Sequence, residues 1–409
     1  TLLLTQNDQR GYDSVLSGKF DVKKDLAWRQ PVTLKTGLLW REQTRKVWSE
    51  SRRYNYAGRD GIFGNADDNL NMAQFLDTTN YHQDDEERNF KNRGGIPVWP
   101  NPYVVAQHQD QNPQLWREDV AFGAQNKLQN QRLITEAIAA AYIMGTVRLG
   151  RFSTMGGVRV EETRLRGEGG VSHISPEERA RRATWVGPVT DDEARRRAVA
   201  QFGGRAKNKG QYRNAFPGIH FKYEPFNGLL TRLSWSTGIG RPAFGSIIPN
   251  ETIDDNTQRV TASNPNLVPQ DANNYDLTLE YYFKPQGMLA VGVFTKRIKN
   301  YIYTDSSQFV ASGPNNGFQG QYEGYGITTS ANGGTAKIDG LEVSYQQQLT
   351  FLPGWLKGFG VYANVTKLQT EGDNSAFQTG PTSTAGGTLP GFLSTSGNLG
   401  ISYRGHGFD

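Results

Sequence analysis

The hydrophobic and polar positions of this chain alternate over long stretches. In "NNYDLTLEYYFKPQG", residues 273–287, Tyr275, Leu277, Leu279, Tyr281 and Phe283 share one parity, and Asn274, Asp276, Thr278, Glu280, Tyr282 and Lys284 share the other. Successive side chains of a strand point to opposite faces, so the segment predicts a strand with one apolar and one polar face. "LLTRLSWSTGIGRP" repeats the pattern, with Thr231, Leu233, Trp235, Thr237 and Ile239 against Arg232, Ser234, Ser236, Gly238 and Gly240. "PVTLKTGLLW" does the same, setting Val32, Leu34, Leu38 and Trp40 against Thr33, Lys35 and Gly37. Strands are predicted at residues 17–25, 32–54, 131–147, 152–166, 212–224, 229–247, 273–284, 288–303, 337–348, 359–370 and 391–404.

Two architectures bury such strands. A soluble sandwich turns the apolar faces into a core, whereas an outer-membrane barrel turns them to lipid and lines its lumen with the polar set. The connections separate the two. "LGR", "PFNG", "PQG" and "FLPGWLKG" are short, and the segments between them at 55–130, 167–211, 248–272, 304–336 and 371–389 are long. Regular alternation of short and long connections places every long loop at one end, as in a barrel with periplasmic turns and extracellular loops. The fold class expected is all-β, an antiparallel up-and-down transmembrane β-barrel. Trp40 and Trp235 suit interfacial aromatic girdles, and cross-strand packing is the other reading of them.

Two segments inside 167–211 read as helices instead. Ser175-Pro176 with Glu178, and Thr190 with Glu193, are N-cap signatures, and Glu178 with Arg182 makes an i,i+4 pair. "ITEAIAAAYIM" is alanine-rich, yet its place before the turn at Leu149 favours a strand with small lumen-side residues.

Composition supports many short strands: aromatics make up 11% and glycines number 47, while hydrophobic residues reach only 36%. The longest apolar run, "AIAAAYIMG", falls far short of the roughly 18–20 residues of a membrane helix. The net charge of +5, from 45 basic and 40 acidic residues, gives no reason to expect nucleic acid. There is no cysteine, hence no disulfide framework and no thiolate metal site. His82, His108, His173, His220 and His406 are scattered without ligand spacing, and no glycine-rich stretch forms a phosphate-cradling loop, so an enzyme is not expected.

Two groups of residues carry candidate chemistry. Arg159, Glu161, Lys222, Glu224 and Arg232 have the polar parity of their strands, and Arg241 follows at a strand end. They read either as an electrostatic lining for an anionic ligand or as opposite charges that neutralise one another across strands. In "GRDGIFGNADDNLN", residues 58–71, Asp60, Asn65, Asp67, Asp68 and Asn69 cluster oxygen donors around glycines. A calcium loop is one reading. The spacing does not fit an EF-hand, and these residues are also ordinary turn formers. "YHQDDEERNFKNRGG" reads as a solvated charge run.

The ordered set of hairpins resembles the TonB-dependent receptors of the Gram-negative outer membrane. The resemblance is strongest in "NAFPGIHFKYEPFNGLLTRLSWSTGIGRPAFGSIIP", with Pro217 opening one strand and Arg241-Pro242 ending the next. It continues through "NPNLVPQDANNYDLTLEYYF", "VFTKRIKNYI", "IDGLEVSYQQQLTFLPGWLKGFGVYANVTKL" and "LPGFLSTSGNLGISY", and earlier through "ITEAIAAAYI" and "GGVRVEETRLRGEG". The resemblance implies a receptor and transporter without enzymatic activity or bound cofactor, embedded in outer-membrane lipid. It implies a small-molecule ligand: a ferric siderophore, a vitamin, a carbohydrate or a peptide. It also implies energy from the TonB–ExbB–ExbD complex, acting through an N-terminal plug domain and its TonB-binding segment.

Such barrels have about 22 strands around a plug. About 11–12 are expected here, with 1–409 a partial barrel and the plug and last strands outside it. The chain shows no signal peptide at its start and ends at "YRGHGFD" without a closing aromatic. A passive porin and a surface β-sheet protein that binds carbohydrate are the alternatives.

Overall fold

In the computed structural model, residues 2–62, 64–68, 75, 76, 100–372, 389 and 391–405 are described. The strands among these residues are β1 (Leu3–Gln6), β2 (Gln9–Ala27), β3 (Pro31–Ser49), β4 (Arg52–Tyr56), β5 (Trp116–Glu118), β6 (Arg132–Leu149), β7 (Phe152–Gly170), β8 (Arg205–Tyr223), β9 (Leu229–Gly240), β10 (Glu251–Asp254), β11 (Arg259–Ala262), β12 (Gln270–Phe283), β13 (Gly287–Lys299), β14 (Ile302–Phe309), β15 (Gly326–Asn332), β16 (Thr335–Gln348), β17 (Phe359–Gly372) and β18 (Thr395–Tyr403). Among the described residues five α-helices accompany them: α1 (Pro102–Gln111), α2 (Val120–Gln129), α3 (Pro176–Ala183), α4 (Asp191–Phe202) and α5 (Phe244–Ile247). No described helix is long and apolar enough to cross a membrane, which leaves strands free to do so.

The chain divides into two compact units. The larger comprises residues 13–45, 133–168 and 206–409 and carries most of an 11-stranded sheet in the order β18-β17-β16-β13-β12-β9-β8-β7-β6-β3-β2. These are the eleven segments the alternation predicts. Three of them end early and are corrected: 32–54 joins β3, which stops at Ser49, to β4 of another sheet, 288–303 joins β13, which stops at Lys299, to β14 of another sheet, and in 229–247 β9 stops at Gly240 and α5 follows. Pro242 has no N–H to donate to a ladder, which ends the strand there.

Register carries the two-face pattern from strand to strand. Leu233 pairs with Leu277, Leu277 with Val293, and Val293 with Leu341, a continuous apolar row whose members are all exposed. On the opposite face Ser234 pairs with Asp276, Asp276 with Phe294, and Phe294 with Gly340. The Phe294 ring occupies the space that a side chain at Gly340 would need. Gly340→Val is therefore expected to destabilise the β13–β16 pair by about 1–3 kcal/mol. A urea midpoint unchanged from wild type would count against this packing.

The short end of the sheet is closed by tight turns. Gly228 adopts φ +94° and its carbonyl accepts a 2.7 Å hydrogen bond from Tyr282 N–H, a conformation that favours glycine. Aromatic rings gather at this end: Phe226 against Tyr281, Phe283 against Tyr345, and Phe359 between Trp355 and Tyr403. That row has the composition of an interfacial girdle. Trp40 and Trp235 are part exposed on the apolar face, and Trp235 Nε1–H donates to Asn273 Oδ1 at 3.3 Å.

The long connections are not bare loops. In the larger unit, β10, β11, β15 and β14 form a small sheet over Val260, Val310 and Phe318. The smaller unit, residues 1–12, 46–132 and 169–205, holds the three-stranded sheet β1-β4-β5 and helices α1 to α4. Its core contains Tyr56, Phe75 and Trp116, and Trp116 Nε1–H donates to His108 Nδ1 at 3.2 Å. His108 is thus a partner within a packed aromatic cluster.

Candidate functional site

The polar face of the larger unit carries a charge network on β6, β7 and the segment after β9. Within β7, Arg159, Glu161 and Thr163 share the face opposite Val158 and Val160, and β6 presents Glu136, Ile138, Ala140 and Tyr142 to the same side through the pairings Glu136–Leu165 and Tyr142–Arg159. Arg159 Nε donates to Glu161 Oε1 at 2.6 Å, and Arg241 Nη2 donates to Glu161 Oε2 at 2.7 Å. Arg241 Nε also lies 3.8 Å from Glu136 Oε1. The two carboxylate side chains are only 12% and 6% exposed, so two guanidiniums neutralise two buried anions here.

Thr163 Oγ1, Tyr212 OH and Arg241 Nε, buried at the same cluster, make no hydrogen bond to another described protein atom. Nearby on this face, Tyr142 OH donates to Asp21 Oδ1 at 2.5 Å and Lys35 Nζ sits 6.0 Å from the Tyr142 ring centre.

Arg241 also opens a segment that folds against the polar face. Ile247 and Ile248 pack on Ile134 and Leu165, with Phe244 and Tyr212 beside them. Asn208 Nδ2 donates to the Ile247 carbonyl at 2.8 Å, and the Arg45 guanidinium lies 5.5 Å from the Phe244 ring centre. An ion-pair anchor and a small apolar patch therefore hold residues 241–248 to the wall.

Of the residues singled out in the sequence, the structure brings Arg159, Glu161 and Arg241 together. Lys222 and Arg232 stand apart from them: Lys222 pairs with Glu224 at 2.8 Å, and Arg232 with Glu280 at 3.1 Å. Glu136 escaped the sequence reading, although its place at lumen-side parity inside an apolar stretch was a usable signal.

In the 58–71 loop, Asp60 Oδ1 accepts from Ile62 N–H at 2.8 Å, and Asp67 Oδ2 accepts from Arg59 N–H at 2.9 Å. Asp68 Oδ2 takes Asn65 N–H at 3.1 Å, and Asn65 Oδ1 takes Asp67 N–H at 3.2 Å. Asp60, Asn65 and Asp68 cap backbone within their own turns, while Asp67 reaches back eight residues to Arg59 and closes the loop. Among the described residues no group of three or more histidines and carboxylates converges as a metal site. Asn69, His82, His406 and the charge run at 81–95 lie outside the described residues.

The smaller unit contains the two predicted helices as a pair. Ser175 Oγ accepts from Glu178 N–H at 3.2 Å and Thr190 Oγ1 from Glu193 N–H at 3.3 Å, so both caps form. Glu178 contacts Arg181, Arg182 and Arg196, while Glu193 contacts Arg181, Arg196 and Arg197, at distances of 2.5–3.1 Å. Burial pushes both carboxyls up, but the arginines outweigh it and hold both below the ordinary glutamate range.

A depressed folded-state pKa gives stability that is present above the unfolded value and lost as pH falls through the folded one. The α3–α4 pair is therefore expected to stay protected from amide exchange down to the usual carboxylate pKa and to open at lower pH. Opening at neutral pH on adding acid-independent salt alone would show that screening, and not protonation, governs it.

An antiparallel meander with an exposed apolar row, a polar opposite face, a ring of aromatics at its short turns and long connections at the other end is the wall of a transmembrane β-barrel. The model of the family described as TonB dependent receptor-like, beta-barrel matches residues 3–409, and the chain belongs to that family.

The fold is similar to that of solved receptors. The ferric-catecholate import receptor Fiu from E. coli K12 aligns over 98% of this chain and 43% of its own, at 11% identity and a TM-score of 0.51. The ferric citrate transporter FecA aligns over 99% and 41%, at 11% identity and 0.50. The siderophore receptor PiuA from Acinetobacter baumannii aligns over 98% and 44%, at 14% identity and 0.50. The chain thus spans less than half the length of each. No curated protein matches it.

Proposed function

We propose that this chain is barrel wall of an outer-membrane receptor that takes up a scarce nutrient at the expense of TonB-transduced energy. The observation that carries the reading is the two-face register that runs from β9 through β12 and β13 to β16 within the 11-stranded sheet, in a member of this family. Its apolar face meets the lipid of a Gram-negative outer membrane, and its charged face lines a lumen.

The ligand class favoured is a ferric siderophore or a similar small iron chelate. Support comes from the similar structures, which are named as ferric-catecholate, ferric citrate and siderophore receptors or transporters. Carbohydrate is the second class. The partner is the TonB–ExbB–ExbD complex, engaged by a plug that belongs to the whole receptor. Arg159, Lys222, Arg232 and Arg241 are the lumen-side cations through which an anionic chelate is steered, although each is already paired with a carboxylate.

Uptake of radiolabelled ferric chelates by iron-starved cells tests this reading, with the whole gene either intact or deleted and with TonB present or absent. Loss of uptake of at least one chelate in both deletions is expected. Uptake that persists without TonB but needs the gene would instead favour a passive porin.

A further inference from the structure

Residues 241–248 reach beyond the charge network that anchors them. At their start Arg241 is held by Glu161 at 2.7 Å and lies 3.8 Å from Glu136. At their end only Pro249 and Asn250 separate Ile248 from Glu251, where β10 begins, so the segment runs straight into the small sheet β10-β11-β15-β14. That sheet is built from the connections between β9 and β12 and between β13 and β16. It therefore lies at the end of the wall opposite the short turns after β8, β12 and β16.

Side chains add a second tie. The Ser246 carbonyl accepts a hydrogen bond from Asn264 N–H at 2.8 Å, and Asn264 Nδ2 donates to the Ser330 carbonyl on β15 at 3.0 Å. Further along β15, Asn332 Oδ1 accepts from Val268 N–H at 2.8 Å, and its Nδ2 donates to the carbonyls of Val268 and Asn300 at 2.9 Å. Leu267 and Ile302, the first residue of β14, join Ile247 and Ile248 in one apolar cluster with Ile134 and Leu165 of the wall. A continuous path of contacts thus leads from a lumen-side ion pair to β15.

We infer that Arg241 is a positioning residue for the small sheet. Its grip on Glu136 and Glu161 holds residues 241–248 to the wall, and through Ser246 and Asn264 that segment sets where β10, β11, β14 and β15 stand at the end where ligand enters. The joint is stiff. Pro242 fixes its own φ and restricts the backbone of Arg241 before it. Ile247 and Ile248 are buried, so the segment cannot lift without uncovering apolar surface. Docked and lifted are then two discrete arrangements, the kind of element that carries coupling between distant sites. The entry-end role rests on the reading of this chain as receptor wall, whereas the coupling does not.

Hydrogen–deuterium exchange of the whole receptor in lipid vesicles tests the coupling. Arg241→Lys keeps a cation that cannot bridge both carboxylates, and Asn208→Ala removes the 2.8 Å hold on the Ile247 carbonyl without changing any charge. Each is expected to speed exchange in β10, β11 and β15 about three- to tenfold, with the β12–β13 hairpin unchanged. Asn264→Ala cuts the tie to Ser330 and is expected to speed β15. Combined with Arg241→Lys, it should speed β15 by less than the product of the two separate factors, because both act along one path. An equal rise in sheet and hairpin, an unchanged sheet, or fully multiplicative effects would overturn the inference.

The reading beneath it fails separately. Asn256→Cys, in the exposed turn between β10 and β11, should be labelled by a membrane-impermeant maleimide in intact cells. Absence of labelling would remove the entry-end role, while the exchange data would still decide the coupling.

Discussion

Arg241→Ala is expected to destabilise the larger unit by about 3–5 kcal/mol, read as a lowered urea midpoint in detergent or lipid. The cost arises because Arg241 is the shared partner of two carboxylates that are 12% and 6% exposed. Removing it strands Glu136 without a described cation in contact and leaves Glu161 with Arg159 alone. It also releases residues 241–248, whose Ile247 and Ile248 are buried against Ile134 and Leu165.

A second substitution checks the cause. Glu136→Gln in the Arg241→Ala background removes the stranded charge and should recover part of the loss, a coupling that a purely steric role for Arg241 would not produce. Arg241→Lys should fall between, since an ammonium cannot span both carboxylates as the planar guanidinium does. A loss below about 1 kcal/mol would place this network with ordinary surface pairs.

Val293→Arg and Ala290→Arg, placed on one strand but on opposite faces, should differ sharply. Val293 lies between Leu277 and Leu341 in the exposed apolar row, so a guanidinium there meets hydrocarbon and costs about 2–4 kcal/mol near the bilayer midplane. Ala290 pairs with Glu280 and Ser344 on the polar face, where an added cation finds a carboxylate and should change stability by less than about 1 kcal/mol. Folded yield in membranes and urea midpoints in lipid vesicles read the difference. Equal effects at the two positions would mean that both faces see the same surroundings.

How far the sequence speaks can be followed residue by residue. Alternation such as Tyr275-Asp276-Leu277-Thr278 is imposed by two different environments on a long strand, so it appears in the sequence and located all eleven strands of the large sheet. The strands in the long connections, β1, β4, β5, β10, β11, β14 and β15, have no such constraint. They run over only three to eight residues and pair among themselves, which leaves too few positions for a period to show.

Helices α3 and α4 announced themselves through their caps. Helices α1 and α2 carry caps as well, Asn101 with Pro102 and Asp119 with Phe122 N–H, but their polar sequences hid them. For the charges, parity assigned the face and register decided the partners. Arg159, Glu161 and Arg241 meet because β7 and the end of β9 approach one another, while Arg232 lies opposite Thr278 and reaches Glu280 instead. Such pairings depend on strand offset, which a single sequence does not display.

The central claim is that the apolar face of the sheet meets lipid. Because the chain has no cysteine, single cysteines carrying spin labels can be placed at each position from 275 to 281 of the protein in lipid vesicles. The ratio of oxygen to nickel-chelate accessibility should alternate with period two, high at Leu277, Leu279 and Tyr281 and low at Asp276, Thr278 and Glu280. Odd positions shielded from both reagents, as in the core of a soluble sandwich, or a ratio without alternation would contradict it.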